Sequence, residues 1–279
     1  MKKTILFLMM MFLSIEAATL DEKIAYLENI KDLIILTQEM RGDTNVYIKG
    51  GDIRLSKITD DHDMVAVSLR KLRKKFETVD IQTNEKFNKL NTYMISLNEV
   101  AAELDTGTTF RAYSLLINEM IKLGIEVQKN FFLHDDKRME ISRVMMQDIL
   151  PMTEDIGKVR GLGAGMAVCG ECNSDEVAFT EDQFTNISDR LDKLVSDMRR
   201  LDVLYPNSYP KSLERQLTQY QLATKRYIRL MENSFVENEE FENIESISLD
   251  SYDFFSHGTS LIDYTLSFYE MNEILLQEH

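Results

Sequence analysis

Only three prolines and eleven glycines punctuate 279 residues, and the long stretches between them are rich in Leu, Ile, Met, Glu and Lys. Runs of that composition without breakers favour helix. No segment alternates apolar and polar residues cleanly, and no Asn-Gly hairpin signal occurs. The pattern predicts about eight helices and no sheet. They run roughly over residues 19–49, 55–78 and 84–104, then from a cap at Thr109. The next starts near "HDD" at His134 and continues past a kink at Pro151 to Val168. A further helix is capped by Ser174 or Asp175 and reaches Val203, and the last two cover 212–235 and 251–277. "CGECNSD" reads as a loop and "ENEEFENIES" as a solvated connector. Helices without a sheet bury their apolar stripes against one another. The expected fold class is therefore all-α, as two packed four-helix bundles. Apolar residues make up 44 % of the chain, enough for a sizeable core.

Charge narrows the function. The formal net charge is −15, which disfavours nucleic acid and anionic membrane surfaces as partners. An anionic ligand would need a local positive pocket, because the long-range field opposes it.

The chain begins "MKKTILFLMMMFLSIEAATL". A basic start, an apolar run from Ile5 to Ile15 and small residues at Ala17 and Ala18 outline a secretory signal peptide over residues 1–17. The run falls short of the ~20 residues that a spanning helix needs. The expected location is periplasmic, with residues 18–279 as the mature domain.

Two Arg-Gly pairs interrupt helical stripes: Arg41-Gly42 in "ILTQEMRGDTNVYI" and Arg160-Gly161 in "DIGKVRGLGAGMAV". They lie 119 residues apart. Each lies on a long helix that leads through a Gly-containing loop to an acidic cluster, "ITDDHDM" or "FTEDQFT". The order suggests duplicated halves, 18–132 and 133–279, related by a pseudo-two-fold axis. Two arginines could then converge on one point. A guanidinium presents a planar fork of donors suited to a planar oxyanion, and glycine beside it admits a close neighbour. Candidate anion contacts are Arg41 and Arg160, with Gly42, Gly161, Thr37, Gln38 and Thr44 as secondary members. Asp60, Asp61, Glu181 and Asp182 read as cap and helix-dipole residues.

These stretches, together with "FRAYSLLINEMIKL" and "DFFSHGTSLIDYTLSFYEMNE", resemble the nitrate- and nitrite-sensing (NIT) domain family over residues 20–277. The resemblance implies two four-helix bundles and a nitrate or nitrite ion held by one arginine from each half, here Arg41 and Arg160. The family usually carries Glu directly before the first Arg-Gly; Met40 stands there, with Glu39 one place earlier. The chain looks like a free-standing, exported version that signals through a membrane sensor kinase or chemoreceptor, with a homodimer as an option for its assembly. The alternative is a helical adaptor that binds a receptor ectodomain without an anion.

Cys169 and Cys172 are the only cysteines. In an oxidising compartment they are expected to form a disulfide. "RKLRKK" at 70–75 reads as the basic end of a helix. The four histidines show no metal-ligand spacing, and no Walker-type or dinucleotide loop occurs. Nothing in the sequence argues for catalysis or for a cofactor.

Overall fold

The computed structural model describes residues 18–75, 81–237 and 244–278. The helices are α1 (Leu20–Ile48), α2 (Leu55–Lys75), α3 (Ile81–Val100, followed by a 3-10 turn, Ala101–Glu103) and α4 (Thr106–Phe132). Next comes α5, in three joined segments: Asp136–Val144, a π-helical turn Met145–Ile149, and Leu150–Cys169. The remaining helices are α6 (Ser174–Leu204), α7 (Leu213–Glu232) and α8 (Ser251–Glu278). The all-helical class holds. Three short strands join the segments read as loop and connector: β1 (Glu171–Asn173), β2 (Phe235–Glu237) and β3 (Ile244–Ile247). They pair antiparallel in the order β1-β3-β2. The signal-peptide reading falls on residues outside those described. Among the described residues no helix is long and apolar enough to cross a membrane.

Local chemistry sets the ends. Thr19 opens α1 with a capping box: Glu22 N–H donates to Thr19 Oγ1 at 3.2 Å, and Thr19 N–H donates to Glu22 Oε2 at 2.8 Å. Asp105, not Thr109, caps α4 by accepting from Thr108 N at 2.8 Å. The Thr109 hydroxyl donates instead to the Ala101 carbonyl at 3.1 Å. Asp135 caps α5 by accepting from Arg138 N. The cap reading of Asp60, Asp61, Glu181 and Asp182 is corrected, since α2 starts at Leu55 and α6 at Ser174, too far back. Asp61 is buried and, with Asp43, flanks the Lys57 ammonium at 3.0 and 2.6 Å. Pro151 follows the π turn. Its ring crowds the carbonyl four residues back, that of Gln147, and the wider π turn accommodates the crowding.

α1 packs against α2, α4 and α5; α2 packs on α3, and α3 on α4. α5 packs against α6 and α8, α6 on α7, and α7 on α8. The central pair is thus α1 and α5, enclosed on several sides. This explains a departure from the expected single apolar face. Met40 to Val46 is buried without a gap, as are Leu150 to Gly157 and Val159 to Met166. A helix buried all round sits in the middle of the protein.

Glycine lets the central pair approach. Gly157, Gly161 and Gly165 recur every four residues on α5 and face α1. A Cβ on Gly161 would lie 3.4 Å from the Gly42 Cα and 2.9 Å from Phe110 Cε2. One on Gly165 would strike the Asn45 side chain, whose Nδ2 donates to the Gly161 carbonyl at 2.9 Å. A Cβ on Gly42 would meet only ordinary contacts, 3.6 Å from Phe255 and 3.9 Å from Gly161. The two Arg-Gly pairs should therefore respond differently to the same change. Gly161→Ala is expected to cost ~1–3 kcal/mol through overpacking. Gly42→Ala is expected to be neutral or to stabilise by up to ~1 kcal/mol through helix propensity. Urea denaturation of the two variants beside the parent measures both.

Candidate functional site

The glycine stripe sets the two Arg-Gly pairs side by side, and each arginine is then housed in the same way. Arg41 is fully buried. Its guanidinium carbon lies 4.7 Å from the Phe110 ring centre, and its Nη1 donates to Ser114 Oγ at 2.7 Å. Arg160 is 2 % exposed. Its guanidinium carbon lies 4.7 Å from the Phe255 ring centre, and its Nη1 donates to Thr259 Oγ1 at 2.9 Å. In each case the hydroxyl residue stands four places after the phenylalanine, one turn further along α4 or α8. Each hydroxyl donates its own proton back to that phenylalanine's carbonyl, at 2.8 Å for Ser114 and 3.0 Å for Thr259. A lone pair is thereby kept for the arginine. The rings cross over: Phe110 lies against Gly161, and Phe255 lies against Gly42. Cation–π contact of this kind partly replaces the water that each guanidinium has lost.

The nests match in shape and differ in charge. Arg41 Nη1 is 2.5 Å from Glu154 Oε1, and both side chains are buried. Ile35 occupies the position 119 residues before Glu154. Among the described residues no carboxylate comes within ion-pair distance of Arg160. Burial pushes the Arg160 guanidinium below its ordinary value; Tyr227, Glu39 and Asp43 act against that, while Arg41 reinforces it. Burial also holds the Glu154 carboxyl above its ordinary 4.5, with Arg41 opposing. Counting Arg41, Arg160 and Glu154 leaves one positive charge at the crossing.

Several polar atoms here lack a protein partner: Arg41 Nε and Nη2, Arg160 Nε, Glu154 Oε2 and Gln38 Oε1. Buried polar atoms are nearly always paired. Gln38 Oε1 and Arg41 Nη2 both face Gly157, where a Cβ would sit 3.3 and 3.4 Å from them. The Tyr227 phenol, also without a partner, lies against Arg160 where Gly258 lacks a side chain.

Sequence reading placed Arg41, Arg160, Gly42, Gly161 and Gln38, and the structure brings all five to the crossing. The buried Thr37 hydroxyl donates to the Leu33 carbonyl at 2.7 Å and lies 3.9 Å from Met120 Sδ. Thr44 is buried next to the Tyr113 phenol, on the far side of Arg41 from Thr37 in sequence. Phe110, Ser114, Glu154, Phe255 and Thr259 were missed as site members. The detectable signal was a phenylalanine with a hydroxyl residue four places later, in both "FRAYS" and "FSHGT". Cys169 is a free, exposed thiol where a disulfide was expected, with Sγ 3.5 Å from the Lys49 carbonyl oxygen. The Cys172 side chain lies outside the described residues.

Compared with known proteins, the chain matches no family model, no curated protein and no solved structure.

The charge asymmetry predicts unequal stabilities. Arg41→Met strands the Glu154 carboxylate and is expected to cost ~3–5 kcal/mol at neutral pH. Arg160→Met breaks no ion pair and is expected to stay within ~1 kcal/mol of the parent. The Arg41→Met deficit has a pH signature. Folded Glu154 takes its proton above 4.5, where the unfolded chain still lacks it. The deficit should be absent below pH 4.5 and grow as pH rises through the folded value. Denaturation midpoints from pH 4 to 8 read it.

Proposed function

We propose that this protein is a sensor or binding protein for a small planar anion, nitrate or nitrite, exported to the periplasm and related to the NIT domains that its motifs resemble. The observation that carries the reading is Arg160. A guanidinium held inside a protein without a carboxylate is costly, and an arriving monoanion would cancel that charge. The unpartnered donors of Arg41 and Arg160 are the groups that such an oxyanion would accept from. Two four-helix bundles, α1–α4 and α5–α8, are the architecture that this reading assigns to the neighbour relations, with pseudo-two-fold halves 18–132 and 133–279. The duplicated arginine nests support that symmetry. The ligand would act by favouring one arrangement of the α1–α5 pair over another, read out by a membrane kinase or chemoreceptor. The chain is read as a non-enzyme.

A helical adaptor without an anion is the second reading, and the Arg41–Glu154 ion pair favours it, because one arginine is already compensated. Calorimetric titration of the chain lacking residues 1–17 decides between them. Saturable binding of nitrate or nitrite is expected, weakened at least ~30-fold in Arg160→Met. That factor corresponds to ~2 kcal/mol, the scale of one charged hydrogen bond. The absence of heat with either anion, together with a melting temperature equal in nitrate and chloride, would favour the adaptor.

A further inference from the structure

We propose that Glu154 is a resident occupant of the Arg41 half of the anion site, so that ligand and Glu154 compete for the Arg41 guanidinium. The inference rests on the anion-binding reading above. A carboxylate is itself a flat oxyanion and uses the donor fork that nitrate would use. Yet the pair is made through one contact only, Arg41 Nη1 to Glu154 Oε1. The second oxygen, Oε2, is buried without a partner, and so are Arg41 Nη2 and Nε. A fully committed ion pair would use two parallel bonds; this one leaves the fork half filled.

The neighbourhood sets Glu154 apart from the other buried acids of α5. Ser114 shares the same Nη1, at 2.7 Å. Asp155, the next residue on α5, is answered by two cations, Lys158 at 3.0 Å and Arg190 at 2.5 Å. Asp148, within the π turn, is likewise answered by Arg143 and Lys193. Among the described residues, Glu154 alone of the buried acids of α5 has one cation within ion-pair distance. The matching position on α1 carries Ile35, so only one of the two nests has a built-in anion. Ligand would therefore settle first on Arg160 and reach Arg41 against the repulsion of Glu154. The carboxylate thus sets a threshold concentration for binding and makes the two arginines unequal partners.

Nitrate titrations of the parent, Glu154→Gln and Glu154→Asp test this, alongside melting curves in nitrate and in chloride. Glu154→Gln keeps the shape and removes the charge. It is expected to bind nitrate at least ~10-fold more tightly than the parent, within the usual range of a coupling between sites. It should also melt lower in chloride and recover in nitrate. Glu154→Asp, which keeps the charge but withdraws it from Arg41, should fall between. Unchanged nitrate affinity in both variants, with only the melting temperature altered, would make Glu154 a structural counter-ion and overturn the inference while leaving the anion site standing. No nitrate binding by parent or variants would overturn the anion-binding reading itself, and this inference with it.

Discussion

The close approach of α1 and α5 is the constraint on which the rest of the molecule depends. Three glycines at four-residue spacing, Gly157, Gly161 and Gly165, strip one face of α5 down to backbone. Asn45 can then reach the Gly161 carbonyl, and Gly42 can meet Gly161 nearly backbone to backbone. No larger residue fits at Gly161 without moving Phe110, and Phe110 is fixed because it carries Arg41 on its face. Packing and charge are therefore one problem at this crossing. The glycines decide where the helices touch, the rings fill the remaining space, and the arginines are trapped between them.

A central helix pair gives up solvent as a partner for polar groups. The remedy along the outer part of α5 is an ion network with α6, in which Arg143, Lys193 and Arg190 answer Asp148 and Asp155. Those pairs sit at the edge and keep some access to water. At the crossing itself the described residues form one ion pair. Arg41 has Glu154, whereas Arg160 has a hydroxyl and an aromatic ring. Rings and hydroxyls soften the desolvation of a guanidinium without neutralising it. An unneutralised buried cation in an acidic protein is a poor device for stability and a reasonable one for capturing an anion.

The helices were legible because the signals were local: long runs free of proline and glycine, rich in Leu, Ile, Met, Glu and Lys. The Arg-Gly coincidence was legible because a repeated pair at a fixed offset is a pattern in one dimension. Glu154 was not, since nothing local distinguishes it from the many other acids, and only three-dimensional placement makes it the partner of Arg41. The caps expected at Asp60, Asp61, Glu181 and Asp182 failed for a related reason. Acidic residues mark a helix start only when the start is known, and both helices begin a turn or more earlier. Burial of α1 on every side from Met40 to Val46 was likewise hidden, because polar residues such as Asp43 and Asn45 interrupt its stripe and yet are buried.

The most direct test of the central claim is a crystal structure of residues 18–279 grown with nitrate, compared with one grown in chloride alone. The account predicts planar density within hydrogen-bond distance of the Arg160 guanidinium, reaching toward Arg41 between α1 and α5. A structure in which Arg160 is bonded to a protein carboxylate, with no density for the ion beside it in either crystal, would contradict it.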